Sequence, residues 1–198
     1  MANVAGALLV GGSSSRMGRD KGTLPVGSTT LTTHLATLLD SLFEDVLIVG
    51  ASSHPVPPGR LVADPPGPPC ALRGLVGALM AARAERVLIV ATDLPLLTPD
   101  LLLALTAWPE SDAVVPRDDH GAHPICAIYR RESVLPVAHK HLEAGGLSLH
   151  RLLEAVKTGY IEGPDLASVD PRAEALTNVN TPEEWARIEA HVHDLNPR

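Results

Sequence analysis

The glycines and cations between positions 11 and 21 have the make-up of a polyphosphate-binding loop. An apolar run over residues 4–10 stops at Gly11-Gly12, and a stretch of three serines then delivers Arg16, Arg19 and Lys21 within six positions. Gly11, Gly12 and Gly18 carry no Cβ, so backbone N–H groups can come close to phosphate oxygens. Arginine brings a planar fork of donors and lysine a point charge to oppose the ligand's negative charge. The spacing is neither the Walker A pattern Gly-x-x-x-x-Gly-Lys-[Ser/Thr] nor the dinucleotide fingerprint Gly-x-Gly-x-x-Gly. The plainer alternative is a glycine-rich strand-to-helix turn whose cations are merely solvated.

A second chemical group sits in Ala91-Thr92-Asp93-Leu94-Pro95, directly after the apolar run 86–91. A carboxylate there is a hard oxygen ligand, suited to Mg²⁺ shared with substrate phosphates. Its structural alternative is a cap or turn residue before Pro95. Asp64 follows Leu61-Val62-Ala63 and precedes Pro65-Pro66-Gly67, where it either binds a ligand or opens a proline turn. The histidine pairs His139/His141 and His191/His193 are two positions apart, which on a helix points them to different faces and favours solvated side chains over a zinc site. Cys70 and Cys126 form no Cys-x-x-Cys pair, in keeping with a reducing cytoplasm.

The elements that must position these groups alternate in type. Apolar runs at 4–10, 45–50 and 86–91 read as buried strands, and a proline-rich connection over 55–69 contains the short apolar segment 60–63. Helical stripes lie between and after them, at 30–42, 72–84 and 99–107, the first with Leu31, Leu35, Leu38, Leu39 and Leu42 on one face. That rhythm predicts an α/β fold: a three-layer α/β/α sandwich around a mostly parallel, Rossmann-like sheet. Segments 112–115 and 125–129, around the polar turn 117–122, predict a small antiparallel edge in the C-terminal half. Helices follow at 131–143 and 148–157, and a last one opens at Thr181-Pro182-Glu183-Glu184 with Thr as N-cap, Pro at N1 and Glu at N3. Ligands in such sheets bind beyond the carboxyl ends of the strands. The loop after Val10, Asp64 and Asp93 all fall there.

With 198 residues and no linker or repeat, the chain reads as one domain over 1–198. A net charge of −7 argues against broad binding to nucleic acid or to anionic membranes. No apolar stretch approaches the roughly 20 residues of a membrane helix, and the N-terminus shows no charged leader. The expected location is cytoplasmic.

The loop Leu9-Val10-Gly11-Gly12-Ser13, continuing to Arg16-Met17-Gly18-Arg19-Asp20-Lys21, resembles the signature Leu-x-Gly-Gly-x-Ser-x-Arg-Met-Gly-x-Asp-Lys of the molybdenum cofactor guanylyltransferases, within the nucleotidyltransferase superfamily. The likeness continues in order through Asp64, Asp93, His123-Pro124 and Asn178-Val179-Asn180-Thr181-Pro182-Glu183. It implies transfer of GMP from GTP to the terminal phosphate of molybdopterin, with release of pyrophosphate. The N-terminal part would bind nucleotide and the C-terminal part the acceptor. Leu9, Val10, Gly11, Gly12, Lys21, Asp64 and Asp93 would bind the nucleotide, with Arg16, Lys21 and Asp93 as catalytic groups and Asp93 holding Mg²⁺. Asp64 would accept guanine's N1–H and N2–H₂ donors, which cytosine's ring nitrogen cannot offer. His123, Asn178 and Asn180 would meet the acceptor, and proteins that deliver the cofactor or chaperone molybdoenzymes are the implied partners.

Two departures from the signature stand out. The usual Gly-Pro-Leu-x-Gly reads Cys70-Ala71-Leu72-Arg73-Gly74, with extra prolines and Gly67 upstream. The asparagine expected at the end of the second strand is replaced by Val49-Gly50. The rival readings are a sister enzyme using CTP on molybdopterin, another nucleoside triphosphate with a sugar or alcohol phosphate, and a non-catalytic nucleotide-binding protein. Gly11-Gly12 weighs against the cytidylyl relative, and retention of Lys21 and Asp93 against the last.

Overall fold

Strand β1 (Val4–Leu9) is apolar along its whole length because both of its faces are covered. The computed structural model describes residues 3–11, 21–50, 58–109 and 111–194. After β1 come a short 3₁₀ turn (Lys21–Thr23), the two-residue strands β2 (Pro25–Val26) and β3 (Thr29–Thr30), and α1 (Leu31–Leu42). The chain continues through β4 (Val46–Val49), β5 (Arg60–Val62), α2 (Ala71–Ala81), β6 (Arg86–Ala91) and α3 (Pro99–Ala107). The second half holds β7 (Ala113–Asp118), β8 (Gly121–Ala122), β9 (Cys126–Arg130), α4 (Arg131–Glu143), α5 (Leu149–Glu154), β10 (Thr158–Glu162), α6 (Gly163–Val169) and α7 (Pro182–Asp194).

One sheet runs through both halves in the order β10-β7-β9-β6-β1-β4-β5, with β8 paired to β7. Parallel pairing joins β5, β4, β1 and β6, and again β7 and β10. Strand β9 runs antiparallel to both β6 and β7. It is the antiparallel element anticipated for the C-terminal half; β10, which the sequence reading did not anticipate, takes the sheet edge beyond it. β2 and β3 form a separate antiparallel pair.

Helices α1, α3, α6 and α7 cover one face of the sheet, while α2, α4 and α5 cover the other. Alternate residues of β1 divide between the two layers: Leu8 faces the first, Ala5, Ala7 and Leu9 the second. Thr30 caps α1 by accepting from the Thr33 N–H, at 3.3 Å. Helix α2 approaches the sheet closely through Gly74, where a Cβ would sit 3.1 Å from the Leu9 side chain.

Chain order places β4 and β5 on one side of β1 and β6 on the other. The crevice between β1 and β6 is therefore the switch point at which open α/β sheets take their ligands. The β1 and β4 ends are locked together beside it, with Val10 N–H donating to Val49 O at 2.8 Å. Gly50 has φ +120, and a Cβ there would lie 2.0 Å from Val10 O. Gly50→Ala is therefore expected to cost about 2–4 kcal/mol, from backbone strain and a displaced β1 end. Thermal melting should show a drop of roughly 5–10 °C.

Candidate active site

Lys21 is fixed by the start of α1. Leu24 N–H donates to Lys21 O at 3.0 Å, Leu31 N–H donates to Leu24 O at 2.8 Å, and the buried Thr32 hydroxyl donates to Gly22 O at 3.0 Å. From this turn the Lys21 ammonium donates to Asn180 Oδ1 at 2.7 Å, across 159 positions of sequence. Asn180 is itself held by the cap of α7. Its N–H and that of Thr181 both donate to Glu184 Oε2, at 2.6 and 3.1 Å, while Glu184 N–H donates to Thr181 Oγ1 at 3.2 Å. This is the reciprocal capping box expected from the Thr-Pro-Glu-Glu spacing.

The same C-terminal segment meets the end of β6, because Val179 N–H donates to Asp93 O at 2.8 Å. Asp93 is half-buried, and its Oδ1 is enclosed without a hydrogen-bond partner among the described residues. Burial pushes the Asp93 carboxyl above the usual carboxylate range. The Lys21 ammonium, Asp93's own backbone N–H and the His123 ring pull it back without cancelling the shift. An enclosed oxygen with a free lone pair beside a lysine suits a hard divalent cation, so the donor chemistry fits Mg²⁺.

His123 approaches from the start of β9. Its ring is buried, with Nε2 2.9 Å from Asp118 Oδ2 at the end of β7. Burial opposes ionisation of Asp118, yet the His120 N–H and the His123 ring together hold its carboxyl below the ordinary range. The sequence reading did not single out Asp118; its only signal was a carboxylate five positions before His123 across a tight polar turn. Next to this group, Cys126 is fully buried, and burial together with the nearby Asp93 charge pushes its thiol up to about 12, so it is not a nucleophile.

Lys21, Asp93, His123 and Asn180 thus gather around one crevice. Asn178 lies in the same segment but is exposed. The side chains of Leu9 and Val10 are buried in the core, which leaves them only backbone groups to offer a ligand. Gly11 is exposed with φ +98, a conformation that glycine adopts freely. Gly12 and Arg16 lie outside the described residues.

Asp64 stands at the end of β5, on the same rim but beyond β4, and it is already engaged. Arg73 Nη2 donates to Asp64 Oδ2 at 2.9 Å, and Arg73 Nη1 donates to Gly67 O. The missing asparagine also has a structural reason, since the 2.0 Å approach to Val10 O admits no side chain at position 50. Any contact with a base from that position is made by backbone.

The family model described as a MobA-like NTP transferase domain matches residues 6–159. A probable molybdenum cofactor guanylyltransferase of Chloroflexus aggregans is 32% identical over 98% of this chain and 97% of its own length. One from Carboxydothermus hydrogenoformans is 33% identical over 95% and 96%. Among solved structures, the molybdopterin-guanine dinucleotide biosynthesis protein A of Archaeoglobus fulgidus superimposes with a TM-score of 0.80 at 20% identity, covering 96% of this chain and 99% of that one. With a family match that takes in most of the sheet and the crevice at its centre, the chain belongs to the MobA-like NTP transferases.

Proposed function

We propose that the protein transfers GMP from GTP to the terminal phosphate of molybdopterin and releases pyrophosphate. The observation that carries this reading is the Lys21–Asn180 hydrogen bond beside Asp93, which unites the first and last signature segments at the switch point of the sheet. An oxygen of the acceptor phosphate attacks the α-phosphorus of GTP. A new P–O bond forms, the bond from the α-phosphorus to the bridging oxygen breaks, and the electron pair leaves with pyrophosphate.

Such displacement asks the protein for positioning and charge rather than covalent chemistry. Lys21 neutralises the phosphate tail, and Asn180 holds the ammonium in place by taking one of its three donors. Arg16 and the amides of Gly11 and Gly12 add further donors on the loop side. His123, whose Nε2 lies 2.9 Å from Asp118 Oδ2, would meet the acceptor together with Asn178 and Asn180. Asp64 offers guanine a carboxylate. Bound Mg²⁺, held by Asp93 and substrate phosphates, would supply charge stabilisation to the leaving group. Partners under this reading are GTP, molybdopterin and proteins that deliver or receive the cofactor; no helix among the described residues is long and apolar enough to cross a membrane.

The test is incubation with molybdopterin, Mg²⁺ and each of GTP, CTP, ATP and UTP, with pyrophosphate and dinucleotide quantified. Guanine dinucleotide with equal pyrophosphate is expected. Cytosine dinucleotide as the main product would move the chain to the cytidylyl reading. Saturating GTP at one hundred times its Kd should also stabilise the fold by about 2.7 kcal/mol.

A further inference from the structure

The Asp64–Arg73 contact lies where a base would be read, yet it is made wholly within the chain. It is a partly buried pair, the two side chains retaining 25% and 16% exposure, and the proline-rich turn between them anchors Arg73 a second time through Gly67 O. The fork is not fully used: Asp64 Oδ1 and Arg73 Nε are both enclosed without partners among the described residues. A guanidinium and the N1–H/N2–H₂ edge of guanine present the same chemistry to a carboxylate, namely planar N–H donors side by side on one N–C–N unit. Arg73 occupies the unconstrained position of the Gly-Pro-Leu-x-Gly signature, between Leu72 and Gly74, which match it, and just after the departures at Cys70 and Ala71.

We propose that Arg73 is an internal stand-in for guanine, occupying Asp64 in the empty site and setting the affinity for GTP by competing with it. The inference rests on the reading of Asp64 as the base-selecting group. Guanine's paired donors need both Asp64 oxygens and Arg73 already holds Oδ2, so the base engages the whole carboxylate only when the guanidinium moves off. The apparent affinity is lowered by the fraction of molecules in which the pair is closed. The incompletely used fork makes that exchange feasible, because Arg73 gives up one hydrogen bond to Asp64 and one to Gly67 O when it moves off. The phosphate tail binds at Lys21, on the other side of β4, and does not enter the competition.

Arg73→Met keeps the aliphatic stem and removes the donors. Calorimetric titration should show GTP binding about fivefold tighter than in the unaltered chain, the gain expected from removing a modest, partly exposed ion pair. Binding of inorganic tripolyphosphate should not change. Arg73→Lys, which cannot form the fork, should give a smaller gain in the same direction and serves if the methionine variant fails to fold. GTP binding that is equal or weaker in a folded variant overturns the stand-in while leaving the guanylyl reading intact. So does a GTP complex in which Arg73 Nη2 still donates to Asp64. Failure of the unaltered chain to bind GTP overturns both.

Discussion

Asp93→Asn is expected to lower GMP transfer by roughly 10³-fold or more while making the unliganded protein more resistant to heat at neutral pH. The loss follows from the proposed role: an amide is a poor ligand for a hard cation, and the charge it helped to place on the leaving group disappears. The gain follows from the electrostatics of the empty site. Burial raises the folded pKa of Asp93 above its unfolded value, so the ionised carboxylate is a cost to the fold. That cost is present in full above the folded pKa. It is relieved as the pH falls through that value and vanishes below the unfolded pKa of about 4. The asparagine variant never carries it. Its melting point should exceed that of the unaltered chain at pH 7, and the difference should close on acidification. A variant with normal turnover would remove Asp93 from the reaction; one that melts lower at neutral pH would contradict the electrostatics.

Lys21→Ala should reduce kcat/KM by about 10²–10³-fold, the scale on which one preorganised charge or donor in a water-poor site contributes to a transition state. Two effects add. The triphosphate loses a cation that Asn180 and the α1 turn hold in place, and Asp93 loses the charge that pulls its pKa down. Lys21→Arg keeps the charge, but its longer planar fork cannot reproduce the 2.7 Å bond to Asn180, so it should restore only part of the activity. Under the proposed reading Lys21 and Asp93 act on the same ligand, so the double variant Lys21→Ala/Asp93→Asn should fall well short of the product of the two single losses. Steady-state kinetics on the four proteins measures this directly. Independent, multiplying losses would place the two residues at separate sites.

Much of the fold was legible because buried parallel strands announce themselves. The runs at 4–10 and 86–91 are apolar on both faces, and β1 and β6 occupy them. Helices α3 and α4 begin and end where their patterns do, and the α7 cap follows from Thr181 and Glu184. Strand β10 was not legible. Thr158-Gly159-Tyr160-Ile161-Glu162 mixes small, polar and aromatic residues, and only pairing with β7 makes it a strand. Helix α6 is seven residues long and starts at Gly163-Pro164, which reads as a turn.

At the site, local spacing singled out the glycine- and cation-rich loop, of which residues 12–20 lie outside the described residues, the strand-end carboxylate and the capping box, each on its own. Their meeting could not: the Lys21–Asn180 bond is a product of tertiary folding, and no local pattern records it. The same holds for Asp118 beside His123, hidden in what reads as a polar turn, and for the capture of Asp64 by Arg73 across a proline-rich turn.

The most direct test of the shared crevice is the affinity of the protein–GTP complex for Mn²⁺, a paramagnetic substitute for Mg²⁺, followed by electron paramagnetic resonance. With Asp93 and the triphosphate as joint ligands, the complex should hold Mn²⁺ at least about tenfold tighter than free GTP does, and Asp93→Asn should erase that advantage. Equal Mn²⁺ affinity in the unaltered and Asp93→Asn complexes, with GTP bound to both, would contradict a common site for the ion and the nucleotide.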